Sequence, residues 1–531
     1  MERQRRYWPE PARKRRMKRP ENDRPFWFPS DENAKAYPQL VDDFYVDVAI
    51  VGGGIVGLTA AHLLAGTGKS VAVLEARQVG QQATGRSTAK VTSQHGPRYD
   101  RLIRDIGRDG ARIYAQANEQ AVGKIRTLVE TLQLDCGLKP MAAFVYGETE
   151  DEASSLRKEA EAASSLDLPA SFVTEVDLPF RVTGAVRFDG QAQFDPYRYL
   201  LGLAEVVSRE GMLFEKTRVT DVEQGEPCIV KTDGGLVTAD QVIVATQMPI
   251  VNDGFFYAKA FPFAHPIVAA PMPAGHLLDG MFINVGSPTH SLRSAERDGK
   301  TYLIAAGGEF KTGVTKDEIA MVGDLQTFLE TTFGVENLSH AWINEDFRPM
   351  DDLPFVGRAS SSKPNFFVAV GFDAWGITQS TVAAGIIVDL ILERANEAAA
   401  IFDATRLPLM NGGPTFVSEN VKTGMRLVGD RLLKQRVERI GNIAAGQGGI
   451  VELDGEQLAV IKDDQGVVSA LSAVCTHLGC IVGWNEVDRT WDCPCHGSRF
   501  DSQGQVISGP AVSPLEAREI GAVPRKIGRR G

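Results

Sequence analysis

The stretch Val46-Asp47-Val48-Ala49-Ile50-Val51-Gly52-Gly53-Gly54-Ile55-Val56-Gly57 decides the fold of most of this chain. A short β-branched run, Val46–Val51, ending in glycine reads as a buried strand of a parallel sheet. Gly52–Gly57 forms a G-x-G-x-x-G turn, Leu58–Ala65 continues as a helix, and Ser70–Glu75 (SVAVLE) is a second strand, so the whole is a βαβ unit opening an α/β domain. Gly52 permits the tight turn, Gly54 lets a pyrophosphate approach the backbone, and Gly57 lets helix and sheet pack closely. The helix N-terminus offers unpaired N–H groups and a partial positive charge to phosphates. Glu75 stands 18 residues after Gly57, where a carboxylate accepts from ribose hydroxyls and repels a 2′-phosphate. A glycine-rich structural turn is the plainer alternative. Strand, helix and acid in register weigh against it and predict a site for FAD or NAD rather than NADP.

Outward from this unit, Ile103, Ile106, Ile113, Ala117, Ala121, Ile125, Leu128 and Leu132 recur near a 3.6-residue period, which predicts long helices over residues 101–133. Short strands mix with helices over 143–246, and Gln241–Ala245 (QVIVA) reads as another buried strand. Residues 255–342 lack a sustained helical period until Asp317–Phe333 and are expected to be mostly antiparallel sheet. A second glycine-bounded turn, Gly371–Gly376, precedes a helix to about Arg394. Pro408, Gly412, Gly413 and Pro414 mark a linker over 405–436. Val451–Leu453, Leu458–Ile461 and Val467–Val474 are short strands between Gly/Asp turns, the pattern of a small all-β domain over 437–531.

The 531 residues are enough for several cores, and 53 glycines exceed the average share. The chain carries a net charge of −11, yet residues 1–20 hold nine Lys/Arg against two Glu, so a basic tail, expected to be flexible over 1–43, precedes an acidic body. A globally basic nucleic-acid binder is excluded. No apolar run reaches the ~18–20 residues that span a bilayer, and no apolar stretch follows the paired arginines as an export signal requires. These features predict a cytoplasmic chain with no transmembrane segment. The tail reads as a solvated extension, or as a contact for an anionic surface such as the membrane periphery.

Four of the six cysteines fall between Cys475 and Cys495, in Cys475-Thr476-His477-Leu478-Gly479-Cys480 and Cys493-Pro494-Cys495-His496-Gly497-Ser498, whereas Cys136 and Cys228 stand alone and read as buried thiols. Clustering of this kind is one site rather than a secreted disulfide scaffold. Two loops each supplying a Cys and a His match a [2Fe–2S] centre with two thiolates on one iron and two imidazoles on the other. Zinc is the alternative, since four Cys and two His could hold a tetrahedral ion.

The C-terminal text resembles the Rieske family, in its disulfide-bearing subclass, and His496-Gly497-Ser498 with the later Ser508-Gly509-Pro510 extends the likeness. The resemblance implies Cys475, His477, Cys493 and His496 as ligands and Cys480 with Cys495 as a disulfide clasping the loops. High-potential members carry, two residues after that Ser, a Tyr that hydrogen-bonds a ligand sulfur, and here the position is Phe500. Loss of that donor predicts a potential in the lower half of the range of roughly −150 to +300 mV.

Residues 44–404 resemble the D-amino-acid oxidase-like flavoproteins, which include glycine and sarcosine oxidases. Thr84-Gly85-Arg86-Ser87-Thr88-Ala89 falls where that family wraps a loop round the pyrophosphate and flavin. Phe194-Asp195-Pro196-Tyr197 resembles its substrate-domain connector, and Val219 sits in the strand whose backbone meets adenine. Val242–Thr246 is similar to its second core strand. Arg348-Pro349-Met350-Asp351-Asp352-Leu353-Pro354-Phe355-Val356-Gly357 resembles its R-P…D-x-x-P-x-x-G run with a shorter gap, and Gly371–Thr378 the turn opening its last helix. The resemblance implies FAD, held at Gly52, Gly54, Ile55, Val56, Gly57, Glu75, Ala76, Arg77, Arg86, Ser87, Thr88, Val219, Ala245, Gly376, Ile377 and Thr378. Ala83–Lys90 has no His for covalent attachment, so the flavin is expected to be noncovalent. Lys90 and His95 are either cations beside the flavin or a solvated Lys and a hydrogen-bonded His.

The fold class expected is therefore α/β plus all-β: a Rossmann-type FAD domain with an interleaved antiparallel-sheet substrate domain, then a small all-β Rieske domain. The function expected is oxidation of a small amine or amino acid, with electrons relayed singly through the cluster to an external acceptor. His265, Arg293, Tyr302 and Trp375 are candidate substrate-facing side chains, and the catalytic residues stay unassigned. The alternative is an NAD(P)H-driven electron-transfer protein, but such chains usually carry two G-x-G-x-x-G turns and this one has one. A Rieske oxygenase needs a further His/carboxylate iron site, for which the six other His supply no convincing pair. A non-enzymatic redox sensor is the remaining reading.

Overall fold

The computed structural model describes residues 22, 24–29, 35–251, 253–273, 277–314, 317–407, 418–420 and 439–519. Strand β1, Phe44–Val51, runs parallel to Leu236–Val244 on one side and to β2, Val71–Leu74, on the other. Val48, Ala49 and Ile50 are wholly buried because both faces of this sheet are covered. Helix α1, Ile55–Ala65, starts earlier than the sequence pattern places it, and Gly57 lies inside its first turn. A Cβ at Gly57 would come within 2.0 Å of the Gly52 carbonyl oxygen, so the glycine serves close packing of helix on turn rather than a break in the helix. The sheet continues through Met212–Phe214 beyond β2. Beyond Leu236–Val244 it continues through Cys228–Thr232, Val219–Glu223 and Lys363–Val370.

The periodic segment after residue 99 forms one element, Tyr99–Thr131, kinked at Gly107 where φ is 76°. A second eight-stranded sheet holds Ala260–Pro271 next to its edge, paired antiparallel with the edge strand His340–Pro349 and with Lys300–Gly307. Among the described residues its one parallel strand pair is Met281–Asn284 with Ala143–Gly147. The helix Gly376–Ile391 follows Lys363–Val370 of the first sheet and packs on α1, which brings the turn before it back to the β1 turn. The short strands Lys90–Val91, Ala192–Gln193 and Lys139–Pro140 form a three-stranded sheet, and eight further strands form two four-stranded sheets. One is built from Gln447–Leu453, Glu456–Lys462, Val468–Ser472 and Ala517–Arg518; the other from Gly483–Asn485, Thr490–Asp492, Arg499–Phe500 and Val506–Ser508.

Two expectations about the chain between domains change. Within the supposed tail, Phe26, Trp27, Tyr37 and Leu40 are buried, and Arg297 donates to the Phe26 and Phe28 carbonyls. Aromatic residues among the basic ones give this segment apolar area to bury, so it is a strap over the first domain rather than free chain. At the start of the supposed linker, Arg406 pairs with Asp351 at 2.8 Å and lies 3.9 Å over the Phe355 ring, so the first domain's packing continues through that residue. Most of 405–436 lies outside the described residues, as do residues 1–21 and 520–531. No described helix is long and apolar enough to cross a membrane.

Candidate functional site

A cavity of about 850 Å³ runs between the two large sheets, within the usual size of a cofactor site. At one end it is lined by Gly52, Gly54, Ile55, Val56, Glu75, Ala76, Val219 and Ala245; Ser87, Thr88, Gly376 and Ile377 line it further along. The fit of a dinucleotide rests on two helix ends. Neither α1, capped by Gly54, nor Gly376–Ile391, capped by Trp375, has a side-chain hydrogen bond at its N-terminus, and both open on this cavity. Their unpaired N–H groups would meet the pyrophosphate and the electron-rich edge of a flavin. A Cβ on Gly54 would meet nothing nearer than Thr84 Oγ1 at 3.9 Å, so the absent side chain leaves room for the ligand. Glu75 accepts from the Gly53 and Arg77 N–H groups at 2.9 and 2.8 Å, which orients its carboxylate although burial pushes its pKa up.

Four residues expected at this site lie outside the cavity wall. Gly57 is beneath the helix turn, and the Arg77 N–H holds Glu75. The Thr378 hydroxyl donates to the Thr92 carbonyl. The Arg86 guanidinium turns away to the Ile343 carbonyl, at 2.7 Å, and to Asp488 of the cysteine-bearing domain. Of the substrate-facing candidates, His265 and Trp375 line the cavity. Arg293 is spent on the Thr88, Ala89 and Phe194 carbonyls, and Tyr302 packs on Phe26.

The far end of the cavity is bounded by Lys90, His95, Arg98, Phe263, His265, Glu309, Asn344, Asp346, Arg348 and the turn Phe372–Trp375. Asp373 and Ala374 both adopt positive φ, 49° and 64°, a conformation that costs a non-glycine residue of order 1–3 kcal/mol. Neighbouring charges hold the turn there. Asp373 accepts from Arg98 at 2.6 Å and from Arg348 at 2.8 Å, and Asp346 accepts from the Ala374 N–H at 2.7 Å. Arg348 also grips Glu309 through both nitrogens, at 3.1 and 2.8 Å. Lys90 is not solvated. It donates to the Phe282 carbonyl and the Ser291 hydroxyl, both at 2.7 Å, and burial, with Arg293 adding, brings its pKa down to about 7. His95 contacts Tyr114, Thr92 and Thr378 and stacks on Trp375, and burial holds it neutral. Burial likewise lowers His265 to about 4.

In the C-terminal domain Cys475 and Cys493 are buried free thiols, and Cys480–Cys495 is a disulfide. Cys475 is held below the usual thiol range first by its hydrogen bond from Cys493, then by the His477 N–H and Ser498. The His477 and His496 rings lie 5.0 Å apart and perpendicular, and desolvation lowers their pKa values to about 4 and about 3, leaving neutral imidazoles suited to a metal. His496 Nδ1 is buried with no hydrogen-bond partner among the described residues. Two thiols and two imidazoles on two clasped loops fit a [2Fe–2S] cluster. A four-sulfur zinc site does not fit, because two of the sulfurs are bonded to each other. Phe500, wholly buried, packs in the same core as Cys475 and Cys493 and offers them no donor.

Tyr257 and the cross-domain contacts went unread in the sequence, where nothing local marks them. The Tyr257 ring stands edge-on to both His496, at 5.2 Å, and His477, at 6.0 Å. Arg218, on the cavity wall, donates to the Val506 carbonyl at 2.7 Å. Gly497, at φ 74°, presses on Phe347, where a Cβ would come within 2.7 Å.

Residues 47–390 match the DAO family, FAD dependent oxidoreductase, and residues 434–519 match the Rieske [2Fe-2S] domain. YhfW of Bacillus subtilis (strain 168), named for a Rieske 2Fe-2S iron-sulfur protein, is 33% identical over 91% of this chain and 96% of its own. Gamma-glutamylputrescine oxidoreductase of Escherichia coli (strain K12) is 23% identical over 71% of this chain and 90% of its own. The fold of the first domain is shared with glycine oxidase from Geobacillus kaustophilus at a TM-score of 0.57 and 22% identity, covering 68% of this chain and 99% of that one. The prosthetic groups are accordingly FAD and a [2Fe–2S] cluster. The chain belongs to the DAO family of FAD-dependent oxidoreductases and joins to it a Rieske [2Fe-2S] domain.

Proposed function

We propose that this oxidoreductase oxidises a small amine or amino acid at its C–N bond and delivers the electrons, through the cluster, to an external acceptor. The observation that carries the reading is the packing of both sites on one body, with the two cluster histidines edge-on to Tyr257 of the flavin domain. Relatives named for a glutamylated diamine and for glycine supply the substrate class. When bound, FAD supplies a hydride acceptor and the cluster a one-electron store.

The chain's own residues supply the rest. Gly52–Val56 and the N-terminus of α1 would hold the pyrophosphate, Glu75 and Ala76 the ribose, and Val219 and Ala245 the adenosine end. Ser87, Thr88 and the helix end at Gly376–Ile377 would hold the flavin ring, and Cys475, His477, Cys493 and His496 the cluster. Asp346 and Asp373 fix the strained turn that presents Trp375 to the cavity. Phe263 and Trp375 exclude water at the reacting end, and neutral His265 adds no positive charge beside the substrate nitrogen. No catalytic base is assigned, because hydride transfer from a neutral amine does not require one. The absence of a described membrane-spanning helix is compatible with a cytoplasmic setting.

An anaerobic screen of amines and amino acids against the purified holoprotein, read by flavin and cluster absorbance, tests this. Bleaching of both by a member of the class is expected. Rapid bleaching by NADH with none by any amine would overturn it.

A further inference from the structure

We infer that the Rieske domain completes the FAD site: its loop Ile507–Val512 is a wall of the flavin cavity, shared between the two prosthetic groups. Ile507, Ser508, Gly509, Ala511 and Val512 line the cavity that also exposes Gly52–Val56, Glu75 and Val219. Two contacts seat the loop there, and one polar group is left open. Arg218 donates to the Val506 carbonyl at 2.7 Å from the flavin-domain side. Gly509 faces Ile250, another lining residue, so closely that a Cβ would lie 3.2 Å from its Cγ2. Ser508 Oγ is buried and without a hydrogen-bond partner among the described residues, which leaves a donor for a polar ligand at this wall.

The other side of the same loop reaches the cluster. The Ala511 N–H donates to Ser498 Oγ at 3.0 Å, and the Ser498 side chain hydrogen-bonds Cys475. One loop thus spans from the dinucleotide cavity to a cluster ligand through two hydrogen bonds. FAD is retained by both domains, and a change at the cavity face of this loop acts on flavin binding although the residue belongs to the cluster domain. The inference rests on the cavity being the FAD site and not on the substrate, so failure of the amine screen leaves it standing.

The test follows FAD release from full-length holoprotein by the rise of free-flavin fluorescence on dilution into bromide. The cluster content is read in parallel by electron paramagnetic resonance after reduction. Val512→Asp sets an unpaired carboxylate at the wall, beside the anionic dinucleotide, and is expected to speed release by about tenfold or more. Val512→Ala is expected to speed it a few-fold by loosening the wall. Val467→Asp, at an exposed position of the same domain (63% exposed), is expected to release FAD at the wild-type rate. Should Val512→Asp also lose its cluster, Val512→Ala decides. Wild-type release from a Val512 variant that keeps its cluster would overturn the inference, as would equal acceleration by Val467→Asp.

Discussion

Among single residues, spacing marked two Cys/His loops as one site, and the structure brings His477 and His496 together beside the buried thiols Cys475 and Cys493. Side chains whose role depends on a distant partner were not announced. Arg293 sits on a strand whose neighbours face the cavity, yet its guanidinium is taken up by three carbonyls and lies 5.0 Å over the Trp27 ring. Lys90 shows the same effect with a measurable consequence. Its pKa in the fold is about 7, set first by burial, whereas an unfolded lysine titrates near 10.4. Between those values the unfolded chain binds more protons than the folded one, so stability rises with pH across that window. Below about 7 the folded chain carries the full cost of a buried ammonium. Between pH 7 and 9 the unfolding free energy of wild type is therefore expected to gain about 2 kcal/mol relative to Lys90→Met. Urea unfolding at the two pH values checks it, and parallel curves for the two proteins would place a charged, well-solvated lysine at position 90.

Whole elements were more legible than their neighbours in space. The β1–α1–β2 unit, the long helix after residue 99 and the antiparallel middle follow from local periodicity, since each buries a face set by its own side chains. The strap Phe26–Phe28 was hidden because three consecutive aromatic residues between prolines in a basic segment carry no period. Its structure is nonetheless well anchored: Trp27 is 5% exposed, meets Phe26 edge-on at 5.1 Å and donates to the Ser87 carbonyl at 2.8 Å. Ser87 belongs to the loop lining the FAD cavity, so the strap holds a cofactor loop from behind. Trp27→Ala is expected to cost roughly 3–5 kcal/mol, mostly from the lost ring, with a lower thermal midpoint and lower FAD content on purification. Trp27→Phe keeps a ring and loses one hydrogen bond, about 1 kcal/mol, so it is expected to fall near wild type. A wild-type midpoint for Trp27→Ala would show that the strap bears no weight.

At the scale of the whole molecule, the two sequence motifs identify two prosthetic groups but not their mutual placement, because the residues that dock the domains lie hundreds of positions apart. Asp488 is shared by Arg86 of the cofactor loop and Arg499 of the cluster domain, and Arg499 also grips Asp492 at 3.0 Å. Across the boundary Arg86 and Asp488 keep side-chain exposures of 15% and 6%, and removing one member of a buried pair typically costs about 3–5 kcal/mol. A freely swinging cluster domain would have to break the Arg86–Asp488 pair at each excursion, which the magnitude disfavours. Electrons are thus expected to pass between the prosthetic groups of one molecule, across the face that carries Tyr257. After light-driven reduction of the flavin in the absence of oxygen and substrate, the cluster's visible absorbance should bleach with a rate constant unchanged over a tenfold dilution of the protein. Asp488→Ala, which leaves Arg86 and Arg499 without their shared partner, should slow that bleaching, read in molecules that still hold both FAD and cluster. A rate constant that falls in proportion to protein concentration would mean that transfer runs between molecules, and that the docked face is not the one electrons cross.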